Sequence, residues 1–136
     1  MAIKIVFLDD SSTILKVLTY TISDLVQEGI IEVETYSDSQ TFAKLLKDEA
    51  IEFDVLFTDI NMPEFSGYDI CALARSIEKY ENHIIIAITT EISKASKSKG
   101  KELGFSGWIT KISAPEVMRS KISNIIRLLE PKGAKS

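Results

Sequence analysis

Five side chains in this sequence have types suited to moving a phosphoryl group: Asp9, Asp10, Asp59, Thr89 and Lys111. Three carboxylates drawn together repel by ~1 kcal/mol per pair in water-like surroundings, and by several at lower dielectric. A divalent cation removes that conflict, and oxygen-only ligands with a phosphate partner favour Mg²⁺. A carboxylate beside Mg²⁺, with a lysine and a hydroxyl aimed at the same point, suits phosphoryl transfer onto an aspartate. The metal and the lysine neutralise charge on the phosphoryl oxygens, and little covalent help is needed. Taken singly, each residue has a plainer role. Asp9 and Asp10 are good helix caps, Thr89 a strand-end hydroxyl, Lys111 a loop charge, and Asp59 a cap for a helix that begins only near Ser66. Their shared location is what favours chemistry.

That location follows from the apolar runs they close. Ile3 to Leu8, Val55 to Phe57, Ile84 to Thr89 and the brief Trp108-Ile109-Thr110 read as strands, the first, third and fourth of five buried on both faces. Ile31, Val33 and Thr35 alternate with Glu32 and Glu34, which gives one wet face and suits an edge strand. One helix is capped by Ser11 or Ser12, carries Ile14, Leu18, Ile22 and Leu25, and stops at Gly29. A second is capped by Asp38 or Ser39 and turns Phe42, Leu45 and Leu46 inward. A third carries Ile70, Leu73 and Ile77. The last starts near Pro115, a favoured first helical residue, and carries Met118, Ile122, Ile125 and Leu129. Between them the segment 93–103 is polar, holds Lys94, Lys97, Lys99 and Lys101, and is interrupted by Gly100; it reads as a short or mobile helix. Five strands alternating with five helices predict an α/β, doubly wound parallel sheet. Right-handed crossovers favour the flavodoxin-like order 2-1-3-4-5. In that order all five polar side chains share the crevice beyond the carboxyl ends of the strands.

A chain of 136 residues is most simply one domain, expected over residues 1–130 with a tail at 131–136. Apolar residues at 45% and charged ones at 26% are an ordinary globular balance. No apolar run approaches the ~20 residues of a membrane helix, and the opening apolar stretch is too brief for a signal peptide. Cys71, the one cysteine, leaves no internal disulfide and reads as core packing in a reducing cytoplasm. His83, the one histidine, has no second ligand at zinc spacing and no nucleophile to serve, so it reads as a strand-entry residue. Charge is divided unevenly. Residues 1–69 hold 4 Lys/Arg against 14 Asp/Glu, a balance of −10, and residues 70–136 hold 12 against 6, a balance of +6. Nucleic acid is therefore not an expected direct partner, whereas an acidic pocket and a basic docking face are.

Four motifs carry a family resemblance: Phe-Leu-Asp-Asp at 7–10, Asp-Ile-Asn-Met-Pro-Glu-Phe-Ser-Gly at 59–67, Ile-Thr-Thr at 88–90, and Gly-Phe-Ser-Gly-Trp-Ile-Thr-Lys at 104–111. Over residues 3–129 the chain resembles a response-regulator receiver domain of the chemotaxis type. The resemblance implies that Asp59 accepts phosphate from a phosphohistidine of a sensor histidine kinase or phosphotransfer protein. It also implies that Asp10 binds Mg²⁺ directly, Asp9 mainly through water, and Asn61 through its backbone carbonyl. Lys111 would pair with one phosphoryl oxygen and Thr89 with another, and Trp108 stands at the switch-aromatic position. Asn61, Thr90 and Glu91 are the positions expected to tune access and dephosphorylation. The face made by the fourth helix, fifth strand and fifth helix would bind a downstream effector or a second copy, and its lysines suggest an acidic partner.

Two residues depart from the family pattern. Ile112 replaces the proline that usually follows the active-site lysine; a cis bond there would cost ~3–4 kcal/mol, so a trans bond is expected. Thr90 stands where Ala or Gly is common, and its bulk is expected to slow phosphorylation by small donors. Two other functions compete. A small Mg²⁺-dependent phosphatase would use the same aspartyl-phosphate chemistry, but Ser11 stands two residues after Asp9 where a second acid is usual. An FMN carrier would need a phosphate cradle where the first loop has acids.

Overall fold

The computed structural model describes residues 2–111 and 114–129. Its elements run β1 (Ile3–Leu8), α1 (Ser12–Thr21), α2 (Ser23–Gln27), β2 (Ile31–Tyr36), α3 (Ser39–Lys47), β3 (Val55–Thr58), α4 (Gly67–Arg75), β4 (Ile84–Thr89), α5 (Lys94–Leu103), β5 (Gly107–Thr110) and α6 (Pro115–Leu129). All strand pairs are parallel and the order is β2-β1-β3-β4-β5, as alternating strands and helices with right-handed crossovers predict.

Alternation along the central strands builds two cores. Val6, Leu8, Leu56, Ile85 and Ala87 face Phe42, Leu46, Ile70, Cys71 and Ala74 of α3 and α4. Ile5, Phe7, Val55, Phe57, Ile86 and Ile88 face Leu15, Leu18, Met118, Ile122 and Ile126 of α1 and α6. With period two along a strand, each face of the sheet receives its own set, and both need helices over them.

The helices differ from expectation at three places, the smallest being that α4 ends at Arg75 and Ile77, expected on that helix, packs against the core from the turn beyond it. The first amphipathic stretch is two helices, not one, making six among the described residues. Thr19 and Thr21 bond back to the carbonyls of Leu15 and Val17 (2.8 and 2.7 Å), and Ser23 bonds to that of Tyr20 (2.9 Å). Such hydroxyls compete with the helix ladder, and the chain turns at Ile22, whose side chain still reaches the core. The polar segment 94–103, expected to be short or mobile, is a ten-residue helix. Ser93 caps its start, and Gly104 in the left-handed region (φ +107°) closes its end. Pattern missed it because only Gly100 of its residues is buried. The Lys111–Ile112 bond, and the tail expected at 131–136, lie outside the described residues.

Candidate functional site

The strand register decides which side chains meet. Leu8 pairs with Thr58, Thr58 with Ala87, and Thr89 with Thr110, so Asp9, Asp59, Thr89 and Lys111 all leave the sheet at one rim. The ladder continues a step beyond the strands: the Asp59 amide donates to the Leu8 carbonyl (2.9 Å) and the Lys111 amide to that of Thr89 (2.9 Å). These bonds fix the backbone from which each functional side chain departs.

The Lys111 ammonium lies between two carboxylates, 2.7 Å from Asp9 Oδ2 and 3.0 Å from Asp59 Oδ2. Asp9 is 2% exposed and Asp59 7%, so both acids require compensation from within the protein. The Ser11 amide donates to Asp9 Oδ1 (2.9 Å) and the Ile60 amide to Asp59 Oδ1 (2.7 Å). Burial pushes the Asp9 carboxyl above the usual carboxylate range, against the pull of its Lys111 bond. Burial alone would lower the Lys111 ammonium; its hydrogen bonds to Asp9 and Asp59 and their charges outweigh this and raise it. One lysine thus stabilises two buried acids.

Asp10 is exposed at the rim, and carboxylate oxygens of Asp9, Asp10 and Asp59 lie within 4.8 Å of one another. Three hard oxygen donors with no nitrogen or sulfur among them fit Mg²⁺. Thr89 is fully buried at the end of β4, and Thr90 is exposed beside it. Asn61 is exposed, and its Nδ2 donates to Glu91 Oε1 (3.2 Å) across the mouth of the pocket. Trp108 is half-buried on β5, with its indole N–H donating to the Glu91 carbonyl (2.9 Å). Asp9, Asp10, Asp59, Asn61, Thr89, Glu91, Trp108 and Lys111 therefore lie in or beside one crevice, with Thr90 exposed next to Thr89.

Two residues read from the sequence only as a helix-cap candidate and a motif glycine support the crevice in ways the sequence does not show. Ser39, buried, donates to the Pro63 carbonyl (2.7 Å) and accepts from the Phe65 amide (3.2 Å), which pins the loop after Asp59 to α3. A Cβ on Gly67 would lie 2.2 Å from the Asp59 carbonyl oxygen, so only glycine lets α4 begin against the acceptor's backbone. Neither has a local signal beyond a serine beside a helix start and a glycine after a turn.

The sequence pattern of the response regulator receiver domain matches residues 5–123. The chain belongs to that family. The receiver is 31% identical over 131 residues to a chemotaxis protein CheY homolog of Campylobacter jejuni, covering 96% of this chain and 98% of that one. It is 33% identical over 123 residues to the chemotaxis protein CheY1 of Helicobacter pylori, covering 90% and 96%. Among solved structures, chemotaxis protein CheY4 of Vibrio cholerae superposes with a TM-score of 0.79 at 30% identity, covering 92% of this receiver and 99% of that chain. The fold and the signalling class expected from the motifs are those of the family.

Proposed function

We propose that Asp59 is the phosphoacceptor of this receiver, taking its phosphoryl group from a histidine kinase or a phosphotransfer protein. The observation that carries the reading is the Asp59 carboxylate, buried at the end of β3 and paired at 3.0 Å with Lys111 beside a second buried acid. An Asp59 carboxylate oxygen attacks phosphorus, the bond from phosphorus to the histidine ring nitrogen breaks, and that nitrogen keeps the electron pair. Asp9, Asp10, Asp59 and the Asn61 carbonyl would hold Mg²⁺, which supplies charge neutralisation at the phosphoryl oxygens. Lys111 supplies the protein's own positive charge there, and the Thr89 hydroxyl binds a further oxygen. The Ile60 amide holds Oδ1 and so orients the nucleophile before any donor arrives.

The output face is α5, β5 and α6. Lys97 and Lys101 flank a groove of about 280 Å³ floored by Phe105, Gly107 and Trp108, and Leu128 on α6 is 83% exposed. Cations around an aromatic floor suit an acidic partner with an apolar anchor, and the same face would serve a pairing of two copies. The protein acts in the cytoplasm, in this reading, and catalyses only its own phosphorylation and dephosphorylation. A phosphatase is disfavoured because Ser11 is committed as the α1 cap, accepting from the Ile14 amide (3.3 Å).

Mass spectrometry after incubation with acetyl phosphate and Mg²⁺ tests the assignment. Wild type is expected to gain one phosphoryl group, and Asp59→Asn none. Undiminished labelling of Asp59→Asn would sink it. A generic phosphate ester is expected to show no turnover.

A further inference from the structure

The loop from Ile60 to Ser66 joins Asp59 to α4, and it carries the Asn61 carbonyl proposed as a Mg²⁺ ligand. At its base the Gly67 amide donates to the Ile60 carbonyl (2.8 Å). At its tip the Phe65 amide donates to the Pro63 carbonyl (2.9 Å), a three-residue turn with Glu64 between them at φ +69°. A γ-turn with positive φ is the rare and strained form, and a residue other than glycine stays there only where its surroundings hold it. Ser39 supplies that hold. Its hydroxyl donates to the Pro63 carbonyl (2.7 Å) and accepts from the Phe65 amide (3.2 Å), so one buried side chain bridges the two groups that the turn joins. We propose that Ser39 is a positioning residue for the metal, stapling the turn at Glu64 and so fixing the Asn61 carbonyl beside Asp59. The inference rests on the phospho-accepting reading with its Mg²⁺ ligands, and adds the residue that sets how tightly the ion is held.

The staple is delivered from a rigid element. Ser39 is the first residue of α3, whose cap Asp38 accepts from the Gln40 amide (3.0 Å) and the Thr41 hydroxyl (2.8 Å). The same helix turns Phe42, Ala43 and Leu46 into the core. Between the pinned base at Ile60 and the pinned tip at Pro63 lie only Asn61 and Met62, so a displaced tip moves the Asn61 backbone with it. Mg²⁺ requires near-octahedral oxygens at roughly 2.0–2.1 Å and adapts poorly to a misplaced one. A carbonyl held to within roughly half an ångström is therefore a better ligand than one left to wander. The Ile60 amide that orients Asp59 lies on the base side, so loss of Ser39 is felt first at the metal.

The experiment measures Mg²⁺ binding by titration calorimetry, and exchange of the Phe65 amide by NMR, in wild type, Ser39→Ala and Ser39→Cys. Ser39→Ala is expected to exchange faster at Phe65 and to raise the Mg²⁺ dissociation constant roughly 3- to 10-fold, as one lost hydrogen bond would. Ser39→Cys, which keeps the size with a weaker donor and acceptor, is expected to fall between the two. Arg75→Lys, which perturbs the chain at the opposite rim, is expected to leave the constant unchanged. Unchanged exchange at Phe65 in Ser39→Ala would overturn the staple. An unchanged constant in Ser39→Ala, or an equal rise in Arg75→Lys, would overturn the positioning role. No Mg²⁺ binding by wild type would overturn it together with the proposed ligands, while labelling of Asp59 tests the acceptor separately.

Discussion

His83 enters β4 with its ring edge-on to Phe53 at 5.0 Å and to Tyr80 at 5.6 Å. Burial lowers its pKa below 6.5, and the charges of Arg75 and Lys79 add to that, against the opposing pull of Asp54 and Glu52. In the window just below 6.5 the unfolded chain binds the proton more readily than the folded one, so stability rises with pH there. The contribution of His83 is complete above its unfolded pKa and fades as pH falls through the folded value. An NMR titration of this single histidine is expected to show a midpoint below 6.5, and His83→Phe to flatten the pH dependence of urea stability in that window. Cys71 is inert in the way its position in an apolar stripe implied, with burial pushing its thiol up to about 11. Asp9, Asp59, Thr89 and Lys111 were legible because each ends an apolar run. The Asn61–Glu91 bond was not, since its partners are 30 residues apart and only the finished sheet brings them together.

At the scale of elements, Arg75 fastens three segments. From the last turn of α4 it donates to the carbonyls of His83 (2.6 Å), Glu81 (3.0 Å) and Gly104 (2.7 and 3.0 Å) and to Ser106 Oγ (3.3 Å). Among the described residues no carboxylate takes part; the planar fork serves backbone carbonyls of two loops at once. Arg75→Lys, which cannot reproduce the fork, is expected to cost roughly 2–3 kcal/mol in chemical denaturation. A cost under half a kcal/mol would show the clamp to be ornamental. Arg75 carries no such signal in sequence, where it reads as a helix-end cation. Helix α5 was obscured for a related reason: it is held by Tyr68 donating to the Ser96 carbonyl (3.1 Å), by its caps and by the indole, rather than by an apolar stripe. The central strands were legible almost to the residue because burial on both faces favours apolar side chains, and β2 was legible from the alternation that its one wet face imposes.

For the whole molecule, the sheet gathers acids at one rim and leaves cations on the far half of the chain. Mg²⁺ that binds only the folded state stabilises it by mass action, and at ten times its dissociation constant the melting temperature is expected to rise by about 3–6 °C. Asp10→Asn, which removes the exposed carboxylate of the three, is expected to abolish most of that rise in a calorimetric scan. An unchanged rise would place the ion elsewhere. The sheet order was legible in the sequence because right-handed crossovers leave few arrangements for five parallel strands and the wet face of β2 marks an edge; the division of labour among the polar strand ends was not. The Arg75 clamp has a mechanical consequence for this architecture. It grips Gly104 and the entrances of β4 and β5, at the rim opposite the acids, so α5 is anchored at its tail and tethered more lightly at its head. A displacement at the head of α5 would then swing the helix about Gly104, carrying Lys94 and Lys97 farther than Lys101.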